Sequence, residues 1–217
     1  MNPRVGLLGG TFDPVHNGHL QIAEIAQDFC DLEEVRFIPT AVPPHKNLQA
    51  LASFSHRAHM IQLALAGKPD FKLSTIEASL PEPSYTIDTL QYFHTHAGCT
   101  TDFFFIIGAD AFLDITTWKS YRDVLQAAHF VVLDRAGYDS SEVKELIKML
   151  GYEPDESSQI WYHSSFQKKI FFPLFPTMSI VNISSSDIRQ GIKEKRLAAW
   201  AVPVAVLDYI QTHSLYV

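Results

Sequence analysis

Four short apolar runs, Arg4–Leu8, Val35–Pro39, Phe103–Ile107 and Phe130–Leu133, are separated by longer stretches in which apolar residues recur at helical spacing. Ile22, Ile25, Ala26 and Phe29 make one such stripe. Ala58, Ile61 and Leu65 make a second within Ser53–Ala66, and Ile87, Leu90 and Phe93 a third within Ser84–His94. Apolar runs without alternation read as strands buried on both faces, and such strands belong in a parallel sheet covered by helices on each side. Lys72–Ala78 alternates apolar and polar residues and predicts one more strand. Glu142–Leu150 reads as a helix stopped by Gly151, Ser179–Ile183 as the last strand, and the segments from Ser184 and over Val204–Ile210 as closing helices. Ser157–Pro176 has no readable period. With no internal repeat or linker, residues 1–217 are expected to form a single α/β domain.

The formal charge is −7, which disfavours nonspecific attraction to nucleic acid or anionic membrane and predicts neither as a partner. It leaves room for a local phosphate site, which backbone N–H groups and a few cations can make. Cys30 and Cys99 are the two cysteines, and neither has the spacing of a disulfide framework or a zinc site. Met1–Leu8 is too short for a signal peptide, and no apolar run approaches the roughly 18 residues of a membrane span. A cytoplasmic location is expected.

The chemistry-bearing segments fall where the strands end. Arg4–Leu8 runs into Gly9-Gly10-Thr11-Phe12-Asp13-Pro14-Val15-His16-Asn17-Gly18-His19. Gly9 and Gly10 let a ligand approach the backbone, and the helix starting near Gly18 offers unpaired N–H groups and its positive dipole end. His16 and His19 are three apart, so both can face the same phosphate. Ser184-Ser185-Ser186-Asp187-Ile188-Arg189 reads as a helix N-cap. It also reads as an anion site, because Arg189 leans back one turn toward the helix start. Asp110 closes a buried strand and suits a ribose hydroxyl or a plain helix cap. Trp118 suits a stacking surface or a core position. His45 and Lys46, behind Pro43-Pro44, suit an anion clamp or a solvated basic loop. In open α/β sheets these strand ends converge on one crevice. Neither GxxxxGK[ST], GxGxxG nor GxSxG occurs, and no histidine pair has a third ligand at sensible spacing, so no protein metal site is expected.

These segments are familiar together. GGTFDPVHNGHL (Gly9–Leu20), PPHK (Pro43–Lys46), SYTIDTL (Ser84–Leu90), IGAD (Ile107–Asp110) with Trp118, and ISSSDIR (Ile183–Arg189) resemble the HxGH nucleotidyltransferase superfamily. Within it, they resemble the bacterial nicotinate-nucleotide adenylyltransferase family. The first and last mark the superfamily; SYTIDTL and IGAD with Trp118 point to the family. The resemblance covers nearly the whole chain. It implies a Rossmann-like doubly wound sheet and transfer of the ATP adenylyl group to nicotinate mononucleotide. The products would be nicotinate adenine dinucleotide and pyrophosphate, in NAD synthesis, with Mg²⁺ travelling on ATP. It also implies that Gly9, Gly10, Thr11, Phe12, His16 and His19 hold ATP, that Asp110 meets its ribose, and that Ser185, Ser186 and Arg189 hold its outer phosphates. His45, Lys46, Thr86, Trp118, Lys119 and Arg135 would serve the mononucleotide. Lys119 stands where relatives often have tyrosine, and Ala136 where they have proline. A monomer or homodimer is expected. Another acceptor such as phosphopantetheine, a class I aminoacyl-tRNA synthetase fragment and a non-catalytic nucleotide sensor are the competing readings. The absence of a lysine-rich signature loop weighs against the second, and the intact HxGH and Arg189 against the third.

Overall fold

A computed structural model of the chain describes residues 2–43, 51–97, 100–133, 140–173, 183–196 and 199–217. Among the described residues, eight strands form one sheet: β1 (Arg4–Gly10), β2 (Glu34–Pro39), β3 (Phe71–Leu73), β4 (Asp102–Gly108), β5 (His129–Leu133), β6 (Tyr152–Pro154), β7 (Ile160–His163) and β8 (Lys169–Phe171). Their spatial order is β3-β2-β1-β4-β5-β8-β7-β6. The helices are α1 (Asn17–Cys30), α2 (Phe54–Ala64), α3 (Thr86–His96), α4 (Ala109–Leu113), α5 (Tyr121–Ala127), α6 (Ser140–Met149), α7 (Ser185–Lys193) and α8 (Val204–Thr212).

The doubly wound arrangement follows from strands that are apolar on both sides. Phe104 and Ile106 of β4 pack with Leu8, Val35 and Phe37 against α1, α2 and α8. Phe103, Phe105 and Ile107, their alternates, pack with Val5, Leu7, Phe130 and Val132 against α3 to α6. Side chains alternate across a strand, so five consecutive apolar residues feed two cores. Gly6, in the central strand, lies where a Cβ would meet Leu32 at 2.9 Å and Ile106 and Val35 at 3.0 Å. Three packed neighbours leave no volume there for a side chain.

The chain leaves β1 for β2 and β3 on one side, then crosses back to lay β4 on the other side of β1. That reversal opens a crevice between the carboxyl ends of β1 and β4, where ligands of open α/β sheets bind.

Three features depart from the expectations. The alternating run Lys72–Ala78 is a strand only through Leu73, and Ile76–Ser79 is a 3-10 turn. Its Glu77 is buried, which ends the in-out alternation. The sheet is mostly parallel: β7 runs antiparallel to both β6 and β8. This hairpin occupies the unreadable Ser157–Pro176 segment as far as it is described. Its strands of three and four residues are too short to display a period, although Trp161, Ile170 and Phe172 reach the core. Finally, the expected strand Ser179–Ile183 lies outside the described residues except for Ile183, which is not in a strand.

Candidate active site

A cavity of about 660 Å³ fills the crevice at the β1–β4 reversal. Its walls include Gly9, Gly10 and Thr11 from the end of β1, His19 from α1, and Asp110 beyond β4. At the other end come Thr86 of α3, with Trp118 and Lys119. Residues more than a hundred positions apart thus face one space.

At the first wall, β1 ends at Gly10 and α1 begins at Asn17. His16 is the N-cap residue of α1 and is buried at 1% exposure, whereas His19 reaches the cavity. The two rings stack with centroids 3.6 Å apart. The His16 backbone N–H donates to His19 Nδ1 at 3.2 Å. An imidazole that accepts at Nδ1 carries its proton on Nε2 when neutral, so the bond selects the tautomer whose Nε2 is a donor. Phe12 is buried rather than lining the cavity: its ring meets His19 edge-on at 4.8 Å and Phe37 at 5.9 Å. It supports the histidine from behind.

Arg57 of α2 holds this loop from beneath. It is 2% exposed and donates to the carbonyls of Thr11 (2.8 Å), Ala52 (3.1 Å) and Ala41 (3.4 Å). Burial lowers its pKa, opposed by the negative charge of Asp13 and, less, of Glu77.

α7 packs its start against the same loop. Ser184 caps it, accepting from Asp187 N–H at 3.1 Å while Asp187 accepts from Ser184 N–H at 3.1 Å. The Ser185 hydroxyl donates to the Pro14 carbonyl at 2.9 Å. Arg189 Nη1 donates to the Asp13 carbonyl at 2.7 Å, and Nη2 to Ser186 Oγ at 3.2 Å. So α7 and the loop form one surface, with the Arg189 side chain still 28% exposed.

At the far end, Thr86 opens α3, and its N–H has no helical carbonyl to pair with. Trp118 is half-buried and meets Phe105 edge-on at 6.1 Å. The Lys119 ammonium pairs with Asp88 at 3.1 Å and lies over the Tyr85 ring at 4.5 Å, tying the segment after Trp118 to the start of α3. Glu77, 7% exposed, lines this end too. Its Oε1 accepts from Thr89 Oγ1 at 2.9 Å and its Oε2 from Ala41 N–H at 3.3 Å. Burial raises its pKa against the pull of those bonds and of Arg57.

His45, Lys46 and Arg135 lie outside the described residues. Asp13, Arg57, Glu77 and Tyr216 shape the site without having been singled out in the sequence. Arg57 carried a signal: it sits one turn before Ile61, on the apolar flank of α2, where a charge must be paired or buried at a cost. Glu77 interrupts an apolar position in the same sense.

Comparisons with known proteins bear on the family and the fold. Residues 7–191 match the cytidylyltransferase-like family model. A probable nicotinate-nucleotide adenylyltransferase of Desulfotalea psychrophila is 39% identical over 98% of this chain and 99% of its own length. One of Geotalea daltonii is 38% identical over 98% of each. In fold, the chain is similar to the nicotinic acid mononucleotide adenylyltransferase of Plasmodium falciparum complexed with NaAD. The TM-score is 0.75 at 21% identity, covering 99% of this chain and 97% of that one. The same protein complexed with APC gives 0.70 at 19% identity, with the same coverage.

Proposed function

The chain belongs to the nicotinate-nucleotide adenylyltransferase family, within the cytidylyltransferase-like group, and from that premise we infer that the crevice between β1 and β4 is where it transfers the adenylyl group of ATP to nicotinate mononucleotide, giving nicotinate adenine dinucleotide and pyrophosphate in NAD biosynthesis. The observation that carries this reading is the single cavity that joins the HxGH loop and Asp110 to Thr86 and Trp118. A nucleotide seated at the reversal point has its acceptor in the same space.

The reaction asks for little covalent help. The mononucleotide phosphate is already an anionic nucleophile, so in-line attack on the ATP α-phosphorus needs no enzyme-bound intermediate. The task is to hold two anions together and neutralise charge on the departing pyrophosphate, by positioning and fixed donors. Gly9, Gly10 and Thr11 bring backbone close to the nucleotide, and Asp110 takes the ribose hydroxyls. His19 Nε2–H and the start of α1 face the reacting phosphate, with His16 setting the ring of His19. Arg189, with Ser185 and Ser186 beside it, takes the outer phosphates.

Among the described residues no group of three or more His, Cys, Asp or Glu could hold a metal ion. The phosphate end is made of N–H donors and cationic side chains. That donor set fits a Mg²⁺ that arrives on the triphosphate with its own waters and supplies charge neutralisation there. The described residues contain no helix long and apolar enough to cross a membrane. We place the reaction in the cytoplasm, carried out by a monomer or homodimer with no nucleic-acid partner.

The acceptor is read at the start of α3. A carboxylate facing the Thr86 N–H gains a charge-assisted hydrogen bond and the positive end of the helix. A carboxamide gains less and can turn an NH₂ toward a donor. The expected discrimination is about 1–3 kcal/mol, or about 5- to 150-fold in kcat/KM. Pyrophosphate release measured in parallel with nicotinate and nicotinamide mononucleotides tests it. Equal or better use of the amide would overturn the recognition argument.

A further inference from the structure

We propose that Tyr216 is a positioning residue for phosphate binding, keeping the Asp13 carboxylate from capturing Arg189. Tyr216 follows α8, remote in sequence from the loop it touches. Its hydroxyl donates to Asp13 Oδ1 at 2.7 Å, and the Ala52 N–H donates to the same oxygen at 3.1 Å. Asp13 is 1% exposed. Among the described residues its other oxygen, Oδ2, accepts no hydrogen bond, and it lies 3.6 Å from Arg189 Nη1, an ion-pair distance. That nitrogen donates to the Asp13 backbone carbonyl at 2.7 Å.

The arrangement divides the carboxylate into two halves with different tasks. Oδ1 is fixed by two donors, which sets the plane of the group. Oδ2 is thereby held close enough to attract the guanidinium and too far to bond it. A carboxylate and a guanidinium left to themselves close into a bidentate pair, the strongest contact either can make. Closed, that pair would neutralise Arg189 and turn its fork inward, away from an incoming phosphate. With Tyr216 in place, the guanidinium stays anchored through Nη1 on the Asp13 carbonyl and Nη2 on Ser186 Oγ, charged and part-exposed. Burial and the neighbouring Asp13 carboxylate both raise the Tyr216 pKa, so the hydroxyl stays a donor throughout the working range. The buried Arg57 interacts with the Asp13 charge without bonding to it, and it donates to three carbonyls instead.

The inference rests on the reading of Arg189 as a phosphate ligand, and the test separates the two. Tyr216→Phe keeps the ring and removes the donor. It is measured alone and on an Arg189→Ala background, with a melting curve for each variant. Tyr216→Phe alone is expected to lower kcat/KM for ATP about 10-fold, the size of one charge-assisted hydrogen bond, and to leave KM for the mononucleotide unchanged. On the Arg189→Ala background it should add nothing, because the residue it acts through is gone. The same factor in both backgrounds would make Tyr216 a general brace and overturn the proposal. So would wild-type kinetics for Tyr216→Phe beside a damaged Arg189→Ala. Wild-type kinetics for Arg189→Ala would instead reject the phosphate reading of Arg189, and the role of Tyr216 would fall with it.

Discussion

His19, which we propose as a donor to the reacting phosphate, shows how far groups outside a cavity can set the behaviour of a side chain that faces it. Its tautomer is selected by the His16 backbone N–H, its ring stacks on the His16 ring, and Phe12 meets its edge. A donor held in this way reorganises little as charge builds on the phosphate, which is where preorganised sites gain their rate. His19→Ala is therefore expected to slow adenylyl transfer by roughly 10²–10³ at saturating substrates while leaving circular dichroism unchanged. Stopped-time pyrophosphate assays check it, and near-native turnover would remove His19 from the mechanism. The Ser184–Arg189 segment (SSSDIR) shows the same economy. Ser184 caps the helix, Ser185 is bonded to the loop, and Ser186 steadies Arg189, so three adjacent serines have three distinct tasks.

At the scale of elements, α2 matters for what it carries underneath the loop. It has a Ser53 cap whose side chain accepts from His56 N–H, and a buried flank of Ala58, Ile61 and Ala64 beside Arg57. Arg57 donates to the carbonyls of Thr11, Ala52 and Ala41, in the irregular backbone between strands and helices. Arg57→Met preserves much of the volume and removes the donors. With three hydrogen bonds from a buried guanidinium lost, stability should drop by on the order of 3 kcal/mol, and ATP affinity should fall because the loop is no longer held. Urea unfolding together with calorimetric ATP titration measures both. Unchanged stability would mean that the carbonyls find other donors and that α2 is not the loop's foundation.

Across the whole molecule, the parallel sheet and the β7–β8 hairpin meet at His129. Its Nδ1 accepts from the Lys169 N–H at 3.0 Å, and its ring stacks on Phe104 at 4.8 Å. Burial lowers its pKa from 6.5 to about 4, helped by Lys168, Lys169 and Arg4 and opposed by Asp102. The folded protein therefore keeps a neutral ring where the unfolded chain binds a proton. Between about pH 6.5 and about pH 4 the unfolded state holds more protons, so stability falls as pH falls through that window. Above it the contribution is complete. From about pH 7 to about pH 5 the expected loss is on the order of 2 kcal/mol. His129→Asn, whose amide oxygen can accept from the same N–H, should remove most of that slope. Urea melts of both proteins at the two pH values decide it; equal slopes would show that His129 is not the acid-sensitive joint.

Sequence by itself determined the layered α/β architecture, because residues such as Phe103 to Ile107 can be satisfied only between two covered faces. It also marked the HxGH loop, Asp110, Trp118 and the α7 cap as candidates, because these signals are local in residue type and spacing, while only the fold puts Asp110 and Trp118 on the wall of one cavity. The irregular partners were decided elsewhere. Three-residue strands around Trp161 are too short to show a period, and Glu77 entered a 3-10 turn because its carboxylate is bonded to Thr89 and Ala41. The support of Asp13 by Tyr216 joins positions 203 residues apart. No local pattern encodes such a pair: its geometry exists only after the sheet has brought α8 and the first loop to the same end of the molecule, where burial gives one hydroxyl its value.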